Sequence, residues 1–466
     1  MTSLVEDLVA VCVDPTLEYG RDQVPRLRQQ IVHLLAQLGA DPRAPLAPIV
    51  RPGDTVLLKP NLVYHRVSDE RATLTNGWFI KAVADLVLEA LEGRGKVVIA
   101  DVPLQSARFE EVIRLTELAE VMAEYRAVGA PVELLDLRKE YLEVGADGIH
   151  RGLRPLPGDP LGYAVVNLGA SSELEPLGRH RAQFAVGDYD RETTAKYHMS
   201  SNRNEYLIPR TVLTADVLIN LPKFKTHKKA GITCALKNLV GTCGHKSYLP
   251  HFREGLPKDG GDEFAIDHPI KELQRNTIER LKTTNVTLYK AVRAVGRLVL
   301  RLATTGVPDD LRRVMSGSWH GNDTLWRTIL DLNKIAKYCD TDGQMQSVAQ
   351  RRYLCFVDGV YGGESDGPIL PDTRHDGVLL AGLNPVLVDL VVCLLMGLDP
   401  GGVKQVRGGF DASGYALASA PYAHYRDNLR EYIRAASWPL PDLRYRLAEG
   451  WEGYIPRRSV AVVHSA

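Results

Sequence analysis

Gly53-Asp-Thr-Val-Leu-Leu-Lys59, then Phe79 to Leu91, then Lys96-Val-Val-Ile-Ala100, decide the fold. The first and third are short apolar runs. The second carries Val83, Leu86, Val87 and Ala90 at helical spacing. A strand, a helix and a strand at this separation make a right-handed crossover, so the two strands lie parallel. Parallel strands end on the same edge of a sheet. Both runs end in polar residues, Lys59 and Asn61 after the first and Asp101 after the second. Asn61 and Asp101 are therefore expected as near neighbours on the carboxyl edge, where open α/β sheets place ligands.

Working outward, Leu8 to Val13 reads as a strand, and Arg26 to Leu38 as a helix with Leu27, Ile31, Leu34 and Leu35 on one face. Phe109 to Tyr125 is helical and Val132 to Leu137 extended. Arg138 to Asn204 is rich in glycine and proline, with short extended pieces such as Tyr163 to Leu168, and reads as an excursion of antiparallel hairpins. Tyr353-Leu-Cys-Phe-Val-Asp358 is a buried strand followed by a loop holding Gly359, Gly362, Gly363 and Gly367. Gly377 to Ala381 is a short strand, and Pro385 to Leu398 a helix with Asp389 among valines and leucines. The expected fold is α/β, with a largely parallel or mixed central sheet flanked by helices and an inserted helical segment. Residues 1–400 form the α/β domain, with insertions at about 138–204 and 250–318. Residues 401–466 form a C-terminal extension packed on it.

The polar chemistry concentrates after the buried strand Val217 to Leu221. Pro222 ends that strand, because proline has no N–H for the ladder. Lys223, Lys225 and His227 then alternate, and residues two apart in extended chain share a face. Lys237 and Asn238 sit inside the apolar stretch Ile232 to Val240, where an unpaired ammonium is costly to bury. A lysine cluster is ordinarily a solvated face; the carboxyl end of a buried strand is not an ordinary place for one. The reading assigns Lys223, Lys225 and His227 to acid–base catalysis, and Lys59, Asn61, Lys237 and Asn238 to binding an anionic substrate. Asp101 and Asp358, both at strand ends, are the positions for a Mg²⁺ ion.

A second polar group, His320, Asn322, Asp323 and Arg327, surrounds the start of a helix with Leu325, Ile329 and Leu332 on its apolar face. Capping accounts for such residues, and so does recognition of a phosphate or carboxylate at the free N–H groups. Asn322, Asp323 and Arg327 join the binding set on the second reading. Pro250 to Asp267 reads as a flexible lid, and His198 as a loop histidine near the site. Leu288 to Leu302 is an amphipathic helix with Arg293, Arg297 and Arg301 four apart, suited to a membrane surface or a protein partner.

Asn220-Leu-Pro-Lys-Phe-Lys-Thr-His227 followed by Ala235-Leu-Lys-Asn-Leu-Val-Gly241 resembles the domain-of-unknown-function family 362. Three further segments agree with it: Leu58-Lys-Pro-Asn-Leu62, Val357 to Pro368, and Asn384 to Asp389 with Met396 to Pro400. The resemblance covers about residues 50 to 400. It implies a shared fold, with no single reaction and no set of catalytic residues to carry over. Members of that family often occur with ferredoxin-type iron–sulfur modules. Here the six cysteines, at 12, 234, 243, 339, 355 and 393, form no C-x-x-C pair, so no built-in cluster is expected.

Composition narrows the classes. Lysine plus arginine equals aspartate plus glutamate at 57 each, so no global field recruits nucleic acid. No apolar run reaches the length of a membrane span and the N-terminus lacks a signal-peptide pattern, so the expected location is cytoplasmic. The function expected is an enzyme acting on a small carboxylate- or phosphate-bearing metabolite by lysine and histidine acid–base chemistry. The alternative is a redox accessory or ligand-binding protein.

Overall fold

The computed structural model describes residues 4–145, 150–187, 189, 191–273, 302, 305 and 309–456. One ten-stranded sheet organises them. Its strands are β1 Val9–Val13, β2 Thr55–Pro60, β3 Lys96–Asp101, β4 Val132–Asp136, β5 Val217–Leu221, β6 Lys223–His227, β7 Gly231–Thr233, β8 Arg352–Asp366, β9 Leu370–Gly382 and β10 Ile433–Ala435. The order is β10-β1-β9-β8-β5-β2-β3-β4, with β6 and β7 off this path. From β8 to β4 every neighbour is parallel, while β9 is antiparallel to both β8 and β1. The sheet is therefore mixed, within the expected largely parallel or mixed class: parallel from β8 to β4, where the crossover argument applies, and antiparallel around β9.

Side-chain alternation assigns the two faces. Val56, Leu58, Val97, Ile99, Val217 and Ile219 pack with Leu27, Ile31, Val83 and Val87 of the helices Val24–Gln37 and Gly77–Leu91. Leu57, Val98, Leu218, Cys355 and Val357 point the other way, into the core shared with helices Leu325–Tyr338 and Pro385–Leu395. Both faces are covered, which is why these strands read as continuous apolar runs. Truncating one such residue, Ile219→Ala for instance, is expected to cost about 2–5 kcal/mol. Local signals start the helices: Asn76 accepts from the Trp78 N–H and Asn384 from the Val386 N–H, both at 2.9 Å.

Two readings are corrected. The glycine-rich stretch after Asp358 is no loop: β8 runs on to Asp366 and forms a long hairpin with β9, which begins at Leu370 rather than Gly377. Its glycines serve close packing, since a Cβ on Gly359 would stand 2.9 Å from that of Phe224. Pro250 to Asp267 is packed rather than lid-like. Phe252–Arg253 pairs with Phe184–Ala185, and Asp262 is buried against Arg253.

The excursion after Arg138 does contain a hairpin, Glu140–Val144 with His150–Pro155, and Tyr163–Asn167 pairs antiparallel with Glu205–Pro209. Beyond Gly401 the chain joins the main core through Val403, Val406, Tyr425, Tyr445 and Trp451, and β10 lies parallel to β1. Apart from Leu302, the basic amphipathic stretch 288–302 lies outside the described residues.

Candidate functional site

Register places the expected residues on one edge. Asn220 of β5 stands opposite Lys59 of β2 and Cys355 of β8, and Lys223 stands opposite Asp358. Asn61, Asp101 and Lys223 therefore share the carboxyl edge. The cations near this edge divide into those with partners and those without.

The paired cations come first. Lys59 Nζ meets Asp101 Oδ1 at 2.7 Å and donates to the Pro60 carbonyl at 2.8 Å. The Leu62 and Val102 N–H groups complete the Asp101 carboxylate at 2.7 and 2.8 Å. Lys223 Nζ lies 3.1 Å from Asp358 and donates to the Tyr19 hydroxyl at 2.6 Å; that hydroxyl donates to the other Asp358 oxygen. Lys225 Nζ donates to Asn61 Oδ1, the Thr73 carbonyl and the Pro368 carbonyl at 3.1, 2.5 and 3.1 Å. An ammonium has three N–H donors, and all three are taken. Burial holds the pKa of Lys225 well below that of a free lysine, and the neighbouring Lys223 and Lys237 add to the effect.

Amides carry the arrangement across the strands. Asn61 donates to Asn238 at 3.0 Å, Asn238 to Asn220 at 2.8 Å, and Asn220 to the Tyr353 hydroxyl at 2.9 Å. The short helix Ala235–Asn238 is fixed from beneath by Asp389, whose oxygens accept from the Ala235 and Leu236 N–H groups at 2.7 and 3.1 Å. Burial without a cation pushes the Asp389 carboxyl up to about 7. Asp389 thus sets where Lys237 and Asn238 stand.

Lys237 is half-buried and makes no hydrogen bond or ion pair among the described residues. Burial first, then Lys246, Lys59 and Lys229, bring its pKa down to about 7. Asp101 opposes that trend, and Lys59 already pairs with it. Lys246 is buried as well, its pKa lowered chiefly by desolvation.

His227 is the last residue of β6, at the turn into β7. Its Nδ1 accepts the Lys229 and Ala230 N–H groups at 3.0 and 3.2 Å. Gly231, at φ 81°, closes the turn beneath the Trp451 ring, and Trp451 donates to the Lys228 carbonyl at 2.7 Å. Burial, Lys237, Lys229 and Lys225 hold the imidazole well below its ordinary pKa, so it is neutral at pH 7.

The helix-start residues serve the fold. Asn322 accepts from the Thr324 and Leu325 N–H groups at 3.1 and 2.9 Å. Asp262 supplies the anion there, accepting from the Asp323 N–H at 2.9 Å and the Thr324 hydroxyl at 2.6 Å. Asp323 pairs with Arg327 at 3.2 Å, and His320 lies against the Gly450 carbonyl at 2.8 Å. His198 is buried in the core, with Nε2 on the Tyr248 carbonyl. Asp101 and Asp358 are held in separate lysine pairs with both oxygens of each engaged, which gives the Mg²⁺ reading no geometric support. Among the described residues no group of three or more histidine, cysteine, aspartate or glutamate side chains is placed to hold a metal ion.

Sequence reasoning missed Tyr19, Lys246 and His251. Tyr19 reaches Lys223 from 204 positions away, beyond any local pattern. Lys246 follows Lys237 by nine residues in the same polar run, a proximity that the sequence did show. A cavity of about 250 Å³ lies at the opposite, amino edge of the sheet, between Ile49, Arg352 and Asn384. Its lining includes Leu239, two residues beyond Lys237.

The sequence pattern of the family described as Domain of unknown function (DUF362) matches residues 56–166 and 171–394. A thylakoid-associated protein of Synechocystis sp. is 22% identical over 417 residues, spanning 88% of this chain and 84% of that protein. A crystal structure of a Thermotoga maritima protein aligns with a TM-score of 0.31 at 10% identity, covering 75% of this chain and 53% of that one. This chain thus spans about half the length of that protein. No helix of the described residues is long and apolar enough to cross a membrane.

Proposed function

This chain belongs to the domain-of-unknown-function family DUF362, and we propose that it is an enzyme acting on a small carboxylate- or phosphate-bearing metabolite at the lysine and histidine cluster. One observation carries the reading. Lys237 and Lys246 stand near Lys59, whose charge Asp101 already pairs, and neither side chain has an ion pair among the described residues. Gathering cations without counter-ions is costly, and an anion arriving from solution removes the cost.

Roles divide by what each side chain has left to offer. Lys223 is paired with Asp358 and Tyr19, Lys225 has all three N–H groups engaged, and the two position the segment from Asn61 to Asn76. Lys237 and Lys246 hold the anion. Of the run Lys223 to His227, only His227 keeps a free polar group, its Nε2, to address a substrate. A cytoplasmic location belongs to the same proposal. The basic stretch 288–302 is its contact with a membrane surface or a protein, a reading in keeping with the thylakoid association of the Synechocystis relative.

Calorimetric titration of the full chain with inorganic phosphate and with small mono- and dicarboxylates tests the anion. Binding at about millimolar or better, weakened at least about tenfold in Lys237→Met, is the expected result, tenfold being 1.4 kcal/mol. Absence of binding by every anion tried, or equal binding by the variant, overturns the reading.

A further inference from the structure

We propose that His251 is the second histidine of this site and its proton acceptor, so that the ligand is an anion carrying its own O–H or N–H group. The inference rests on the anion-binding reading above and deepens it.

The two rings have opposite tautomers, fixed by the backbone. Two N–H groups donate to His227 Nδ1, so that nitrogen presents its lone pair and the proton of the neutral ring is on Nε2. His251 Nδ1 lies 2.8 Å from the Leu249 carbonyl oxygen. A carbonyl only accepts, so Nδ1 carries the proton there and Nε2 keeps the lone pair. No hydrogen bond within the described residues engages either Nε2. The site therefore offers one N–H donor and one nitrogen acceptor.

Lys229 joins the two rings. Its backbone N–H donates to His227, and its ammonium lies 5.0 Å from the centre of the Phe252 ring, the residue after His251. The Asn322 amide holds the His251 carbonyl at 2.9 Å, fixing this segment to the helix start. Lys237 and Lys229 act on both imidazoles, and burial with these lysines keeps both rings neutral. A fully deprotonated anion satisfies Lys237 and the His227 N–H but leaves the His251 lone pair facing another lone pair. An anion with a proton to donate satisfies all of them. When that proton moves, His251 Nε2 takes it, the ring becomes an imidazolium, and the electron pair of the broken bond stays on the ligand. His227 Nε2–H donates to the charge that develops, as a neutral imidazole suited to polarising an oxygen.

Phosphate and sulfate separate these cases, because they match in shape while only phosphate carries an O–H group near neutral pH. The full chain is titrated with each at pH 7, alongside His251→Asn, which keeps an N–H for the Leu249 carbonyl. In parallel, long-range ¹H–¹⁵N correlation of ring-labelled protein reads the tautomers, with His227→Asn and His251→Asn identifying the signals. The expected result is an at least about tenfold preference for phosphate over sulfate that disappears in His251→Asn, the scale of one charge-assisted hydrogen bond. The rings are expected as Nε2–H for His227 and Nδ1–H for His251, both shifting on phosphate addition. Equal affinity for the two anions in the wild type, an Nε2–H tautomer for His251, or a shift of His227 alone overturns the His251 assignment and leaves anion binding standing. Failure of both anions to bind overturns the anion reading and this one with it.

Discussion

Lys59 and Asp101 meet at 2.7 Å across the ends of two neighbouring parallel strands, with 2% and 5% of their side chains exposed. The pair fills the floor of the cationic cluster, and Gly241 forms its wall. A Cβ on Gly241 would stand 2.7 Å from Lys59 Nζ and collide with Asp101.

Gly241→Ala is therefore expected to push this pair apart although its backbone, at φ −73°, accepts alanine. Lys59→Met leaves a buried carboxylate without its cation and is expected to cost about 3–5 kcal/mol. Urea unfolding of both variants measures this. Wild-type stability in Lys59→Met would show that the Leu62 and Val102 N–H groups suffice for Asp101.

Lys225→Met removes the donor for three acceptors at once, the buried Asn61 Oδ1 and Thr73 carbonyl and the half-buried Pro368 carbonyl. The expected loss is roughly 2–5 kcal/mol in the same assay. A variant that keeps its melting temperature would return Lys225 to the list of groups free to meet a substrate.

Lys237, brought down to about 7 by burial and by Lys246, should take up a proton when an anion arrives, since a nearby negative charge raises its pKa. Phosphate binding at pH 8 is then accompanied by net proton uptake, read from calorimetry in two buffers of different ionisation enthalpy. The sign for stability follows from the same shift. Between pH 7 and 10.5 the unfolded chain holds the proton that folded Lys237 releases, so this lysine costs stability progressively as pH falls through that window. Lys237→Met is expected to melt at or above the wild-type temperature; a clearly lower value, or phosphate binding without proton uptake, contradicts this account.

His198 is held at about 4 by burial, against an ordinary 6.5. Between those values the unfolded chain binds the proton more readily, so stability falls as pH drops from 6.5 toward 4, by roughly 3 kcal/mol in total. Asp389 and Asp331, raised to about 7 and about 6, run the opposite way. The difference between wild type and His198→Gln, which keeps a donor for the Tyr248 carbonyl, isolates the histidine. Identical pH profiles for the two would mean that His198 titrates alike in the folded and unfolded chain.

The sequence by itself determined the sheet and the edge on which chemistry gathers. Apolar runs such as Val56 to Leu58 and Val217 to Leu221 and the helical spacing of Val83 and Val87 are local patterns, and a parallel crossover leaves one geometry for their polar ends. That logic put Lys59, Asn61, Asp101 and Lys223 on one edge. It failed at Gly359 to Gly367, where glycines that read as a loop are instead required by the close approach of Phe224, Tyr445, Lys225 and Thr226. Only the tertiary structure decided which cations are spent and which are left over. Lys223, Lys225 and His227 look equivalent along the chain, yet Tyr19 and Asp358 take the first, Asn61, Thr73 and Pro368 take the second, and the third keeps a free nitrogen. An ion pair or a tautomer depends on atoms brought within about 3 Å by chain crossings of up to 339 residues in this cluster, and periodicity over a dozen residues carries no record of them.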